Sequence, residues 1–212
     1  MDIVVAGGHG QVARRLLGLL AERGDRARGL IRNPEHAADL EAIGAEPVLC
    51  DLEGEEDIAP FVEGADAVVF AAGAGPGSGP ARKQTMDLGG AVKLIEGAKE
   101  NGTARYVMVS SMGANHPERS SGQMRPYIEA KAEADRRLAE SGLDWTIVRP
   151  GGLTDEPGTG RIRVGTDIGS GQVPRDDVAA TLVAVLDVDA TIGESFDLLS
   201  GDQPIDEAVR TL

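Results

Sequence analysis

Short apolar runs recur along the chain at residues 2–6, 27–31, 46–50, 66–72, 105–110, 143–149 and 195–199. They are apolar without strict alternation, the pattern of strands covered on both faces. Between most of them the apolar positions return at helical spacing. Val12, Leu16, Leu19 and Leu20 share one helix face, as do Ala91, Leu94, Ile95 and Ala98, and again Val178, Leu182, Val185 and Leu186. Alternation of strand and helix calls for parallel strands joined by right-handed crossovers, so the predicted fold is α/β with a doubly wound parallel sheet. No internal repeat stands out. Two Gly/Pro-rich stretches, 73–80 and 150–160, follow the carboxyl ends of predicted strands, where open α/β sheets bind ligands, and are expected to wall the site.

The first strand runs into Gly7-Gly8-His9-Gly10, and a helical pattern starts at once. Gly8 to Ala13 fits G-x-G-x-x-A, and Gly7, Gly10 and Ala13 also fit G-x-x-G-x-x-A. Small residues at these points let backbone N–H groups at a helix N-terminus approach a pyrophosphate; the alternative is a plain glycine turn. His9 is read as a solvent-facing loop residue. An NAD site normally carries an acid at the end of the second strand to accept from the ribose hydroxyls, but the stretch here is "GLIRNP". Arg32 suits a 2′-phosphate instead, so NADP is expected over NAD; the competing reading is a surface arginine before the next helix. "VLCDLEG" puts Asp51 and Leu52 at the end of the third strand, where a carboxylate can accept from an adenine amino group. Ala71, Ala72 and Gly73 close the fourth strand and are small enough for a cofactor to lie across the sheet edge.

"RPYIEAKAEADRRL" holds Tyr127 and Lys131 one helical turn apart, a Y-x-x-x-K pair on one face. An ammonium beside a phenol favours the phenolate, which lets a tyrosine exchange a proton with a carbonyl or hydroxyl; the competing reading is a packing pair. Upstream, "YVMVSSMGA" ends the fifth strand in Ser110-Ser111. Either hydroxyl can hold a substrate oxygen, or both can cap a loop.

Charge and length narrow the function classes. The 212 residues suffice for one well-buried core, and no apolar run approaches the length of a membrane span. The chain opens on a strand-like segment without a secretory pattern, and Cys50 is the single cysteine, so a cytoplasmic location is expected. Asp and Glu total 35 against 21 Lys and Arg, for a net charge of -14. Such a field opposes approach to nucleic acid or an anionic membrane, leaving a small molecule as the expected partner. Scarce lysine with abundant Ala and Gly matches haloarchaeal usage, with an actinobacterial origin as the rival.

These residues together resemble the short-chain dehydrogenase/reductase superfamily. More narrowly, the chain is similar to its compact, atypical NAD(P)-binding members, the epimerase/dehydratase-like proteins related to biliverdin-reductase-B-like and NmrA-like families. The likeness runs from "VVAGGHGQVA" through "LIRNPEHA", "GAEPVLCDL", "YVMVSSMGA", "YIEAKAEAD" and "GLDWTIVRPGGLTD" to "RDDVAATLVAVL". It implies a single Rossmann-fold domain over 1–212 with a small C-terminal substrate-side extension, in which 150–175 forms the substrate-side loops. It further implies that Gly7, Gly10, Gln11 and Val12 meet the pyrophosphate, Arg32 the 2′-phosphate, and Asp51 with Leu52 the adenine. Ala71, Ala72, Gly73 and Ser110 would flank the cofactor, Lys131 would hold the nicotinamide ribose, and Pro150 with Gly151 would edge the nicotinamide. Tyr127 would be the acid/base, with Lys131 and Ser111 completing the catalytic set and no metal required. Only about sixty residues follow the sixth strand, too few for the substrate domain of sugar-nucleotide epimerases. Asp176 and Asp177 are expected to cap the helix they open. The expected activity is NADP-dependent hydride transfer to or from a small carbonyl or alcohol. The alternatives are an NADP(H)-binding regulator or redox sensor, and a flavin or quinone reductase.

Overall fold

The computed structural model describes residues 1–54, 57–75 and 77–212, so Pro76 of the expected 73–80 wall lies outside the described residues. Strand β1 (Asp2–Ala6) shows why the apolar runs lack alternation. Ile3 and Val5 enter one core, Val4 and Ala6 the other, and all are fully buried. From β1 the chain passes through α1 (Gln11–Arg23) to β2 (Arg26–Ile31), then α2 (Ala37–Glu41) and β3 (Glu46–Leu49). It then crosses back through α3 (Ala59–Val62) to β4 (Ala67–Phe70) on the other side of β1. A continuous helical stretch follows, comprising α4 (Pro80–Arg82), a π-helical segment (Lys83–Gly90) and α5 (Ala91–Glu100). Next come β5 (Arg105–Val109), α6 (Arg125–Ala139) and β6 (Asp144–Pro150). The remainder is β7 (Gly152–Thr154), β8 (Arg161–Gly165), β9 (Gln172–Pro174), α7 (Arg175–Asp187), β10 (Glu194–Ser200), β11 (Gln203–Pro204) and α8 (Ile205–Arg210).

The main sheet has nine strands in the order β11-β8-β10-β6-β5-β4-β1-β2-β3. From β10 to β3 all neighbours are parallel, and β8 and β11 add an antiparallel edge. Strand order reverses between β1 and β4, which opens a crevice at their carboxyl ends. One apolar core lies under α1, α7 and α8, and the other under α3, α5 and α6. The expected doubly wound α/β sheet is therefore present.

Several local expectations change. Leu19 is exposed and Leu17 takes its place, because the packed stripe of α1 is centred on Ala13, Leu16, Leu17 and Leu20. Four strands were not anticipated. β7 and β9 pair in parallel as a separate two-stranded sheet from three residues each, while β8 is polar and β11 spans two residues. Asp176 and Asp177 do not cap α7, whose cap position is Pro174. They lie inside its first turn and reach across to loop 158–160 instead. Asp177 accepts from the amides of Thr159 and Gly160 at 3.0 and 2.8 Å, and Asp176 accepts from Arg15 at 2.6 Å. Among the described residues no helix is long and apolar enough to cross a membrane.

Candidate active site

The loop between β1 and α1 is set by sterics. Gly7 has φ +80°, and a Cβ there would sit 2.6 Å from Ala72 Cα at the end of β4. The Gly10 amide donates to the Gly7 carbonyl at 2.7 Å and closes the turn. α1 then begins without a side-chain cap and without an acid in its first turn. Its leading amides thus face the crevice beside Gln11 and Val12, a cradle that fits a pyrophosphate.

Beyond the cradle lie the groups expected around adenosine. The Arg32 side chain is 54% exposed, and among the described residues its one ion-pair contact is Glu53 at 3.5 Å. Glu53 also accepts from the Thr85 hydroxyl at 2.6 Å and from Arg82 at 3.1 Å. The Thr85 bond first, then Arg82, holds its carboxyl below the usual range. The Asp51 carboxylate accepts from the Glu53 amide at 3.0 Å, while Leu52 turns into the core. His9 stacks on His36 with centroids 3.6 Å apart and meets the Asp39 carboxylate at 2.7 Å, so it is partly covered. Gly7, Gly10, Arg32, Asp51 and Leu52 stand outside the main cavity.

That cavity, about 1070 Å³, occupies the β1/β4 crevice and extends over the ends of β5 and β6. Ala71, Ala72 and Gly73 line it from β4, and Ser110 and Ser111 from β5. Pro150 and Gly151 line it from β6, Tyr127 and Lys131 from α6. Gly151 tolerates no side chain, because a Cβ would collide with Leu199 and come within 2.6 Å of the Gly171 carbonyl. The Ser111 hydroxyl has a 3.4 Å contact to the Met112 carbonyl, and the buried Ser110 hydroxyl makes no full hydrogen bond among the described residues.

Lys131 is almost closed off from water. Its ammonium donates to the Val109 carbonyl at 3.0 Å, lies over the Phe70 ring at 5.3 Å, and stands 3.7 Å from Asp87 Oδ1. Asp87, in the π-helical segment, is fully buried; its Oδ2 accepts from the Ala74 amide at 3.3 Å and its Oδ1 has no hydrogen bond among the described residues. One turn after Lys131, Asp135 accepts from Arg149 at 2.9 Å. Burial pushes the Asp135 carboxyl up; Arg149 opposes this, as does nearby Ser110, which lies close without reaching full hydrogen-bond geometry. Tyr127, Lys131 and Asp135 therefore share a face of α6, with carboxylates on both sides of the lysine. Sequence reasoning missed Asp87, Lys83 and Arg175, all of which line the cavity. The sequence signal for Lys83 and Asp87 was their place just after the glycine-rich stretch that follows β4.

A doubly wound sheet with a glycine cradle and a deep crevice at its switch point defines a nucleotide-cofactor protein. The chain belongs to the NAD(P)H-binding family, which matches residues 7–189. It is 44% identical over 214 residues, covering 100% of both chains, to the Bacillus subtilis protein YhfK, named as an uncharacterized sugar epimerase. A solved structure from Bacillus halodurans, described as an NAD-dependent epimerase/dehydratase, superimposes with a TM-score of 0.95 at 40% identity and 100% coverage of both chains. Sanguinarine reductase of Eschscholzia californica is 26% identical across 99% of this chain and 93% of its own length.

Proposed function

We propose that the chain is an NADP-dependent oxidoreductase acting on a small carbonyl or alcohol. The observation that carries this reading is that Ser111, Tyr127 and Lys131 share one cavity with Gln11 and Val12 at the start of α1. The cradle residues Gly7, Gly10, Gln11 and Val12 would bind the pyrophosphate, Arg32 the 2′-phosphate, and Asp51 the adenine. Lys131 would hold the nicotinamide ribose, with Pro150 and Gly151 along the ring edge and Ala71, Ala72, Gly73 and Ser110 beside it. NADPH when bound supplies a hydride. Tyr127 Oη gives a proton to the substrate oxygen during reduction or takes one during oxidation, and Ser111 Oγ orients that oxygen by a hydrogen bond. The reductase name of one relative supports the oxidoreductase reading, and the roughly sixty residues after β6 are too few for the substrate domain of a sugar-nucleotide epimerase.

A second reading, reduction of a flavin or quinone, is favoured by the carboxylates around Lys131. The Lys131 ammonium is paired with Asp87 at 3.7 Å and so is not held for the Tyr127 hydroxyl alone. The test is steady-state NADPH oxidation with carbonyls, flavins and quinones, in wild type and Tyr127→Phe. Carbonyl turnover should fall by about 10²-fold or more with cofactor affinity kept. Unchanged carbonyl turnover in the variant would remove Tyr127 from the chemistry, and turnover confined to flavins or quinones would select the second reading.

A further inference from the structure

The cavity runs against the charge of the chain that builds it. The sequence holds 35 acidic residues, yet Asp87 is the sole carboxylate among the described residues that line the cavity, and Lys131 faces it at 3.7 Å. Two more cations reach the same space. Arg175 is tied to Asp155 at 3.0 Å. Lys83, by contrast, has no carboxylate partner among the described residues. Its ammonium donates to the Gly75 carbonyl at 2.9 Å and lies 5.2 Å from the centre of the Tyr127 ring. The neighbouring wall is apolar: Met124 and Leu153, 56% and 39% exposed, line the cavity instead of joining a core.

We propose that the Tyr127 end of the cavity takes an organic anion, a carboxylate on an apolar body, and that Lys83 recognises the carboxylate. An ammonium with one backbone acceptor keeps two N–H donors for a ligand. Lys83 is half-buried with the Tyr127 ring on one side of its ammonium, so water screens its attraction for an anion less than it does at a fully exposed lysine. The outer apolar side chains cover the body of the molecule. The phosphates of the cofactor are assigned to the α1 end, so Lys83 is left for the substrate. This inference rests on the oxidoreductase reading and names its substrate class.

The probes are 4-formylbenzoate and its uncharged methyl ester. Their binding to protein saturated with NADP⁺ is measured by calorimetry, and their NADPH-dependent reduction by steady-state kinetics. Wild type should bind the acid at least tenfold more tightly than the ester, and any difference in turnover should lie in KM rather than kcat. Lys83→Gln should erase most of that gap and Lys83→Arg should retain it, with NADPH affinity unchanged in both. An equal or reversed preference in wild type overturns the proposal, as does a gap that survives Lys83→Gln, or absence of binding by both probes. Weaker NADPH binding in Lys83→Gln, with both probes affected alike, would assign Lys83 to the cofactor and overturn it too. If wild type fails to bind NADP(H) at all, the oxidoreductase reading fails separately, and the acid/ester comparison on the free chain decides the anion preference.

Discussion

Lys131 Nζ and Asp87 Oδ1 stand 3.7 Å apart with both side chains shut away from water. Neither charge has a solvent shell to fall back on. Removing one partner leaves the other uncompensated in the interior, a loss of about 3 to 5 kcal/mol for a well-buried pair. Asp87→Ala should therefore lower the urea midpoint sharply, while Asp87→Ala with Lys131→Met should be less destabilised than the sum of the two single changes. Additive losses in the denaturation midpoints would mean that the two charges do not interact.

Arg32 should set cofactor choice, with Glu53 as its competitor. NADPH should bind at least tenfold more tightly than NADH, about 1.4 kcal/mol, a modest demand on charge-assisted bonds to a phosphate. Arg32→Glu should shrink or reverse the gap. Glu53→Gln should widen it severalfold, since the carboxylate 3.5 Å from Arg32 would no longer draw the guanidinium or repel the phosphate. Calorimetry giving equal affinities for the two cofactors in wild type would defeat the assignment.

Acid should weaken the fold in a defined window. Bonds from Arg136 and then Arg137 pull the Glu133 carboxyl from 4.5 down to about 2. A carboxyl depressed by folding stabilises above its unfolded value, and that contribution drains away as pH falls from 4.5 toward 2. Asp135 works the other way, because burial raises it and protonation relieves a buried charge. Melting temperatures should fall across the window, and Glu133→Gln should flatten part of the slope. A slope unaltered by that substitution would exclude Glu133 as a contributor.

Salt should stabilise the fold. With a net charge of -14, self-repulsion opposes compaction, and the Debye length shrinks to about 3 Å at 1 M salt. The melting temperature should climb as KCl is raised into the molar range. A flat or falling trend would rule out adaptation to high salt.

The parts of this architecture that follow strong periodicity were readable in advance. Buried parallel strands show as continuous apolar runs, and the glycines before α1 are demanded by the approach of Gly7 to Ala72. Tyr127 and Lys131 announced themselves by helical spacing. Asp87 did not, because an acid in a polar stretch reads as a solvated residue, and the widened π-helical turn carries no periodicity of its own. Lys83 was hidden for the same reason. The loop-binding role of Asp177 was masked by a simpler explanation, since an acid in the first turn of a helix is ordinary. β8 was lost because "RIRVG" buries Ile162 but leaves Arg161 and Arg163 outside, and β7 and β9 are too short to show a period.

Among the described residues strand β8 pairs only with β10 and β11, both of which come later in the chain. During synthesis, residues 161–165 emerge with no sheet neighbour and must wait until 194–200 has left the ribosome and docked against β6. Until then the edge of β6 that β10 will occupy stays open, and the residues from Pro150 onward lack the Leu198 carbonyl that anchors the Gly151 amide at 3.0 Å. The half of the sheet built on β1 to β5 can assemble earlier. Completion of the cavity wall at Pro150 and Gly151 is therefore a late event in folding, and chains stalled before residue 194 should expose β6 to aggregation rather than hold a partly formed site.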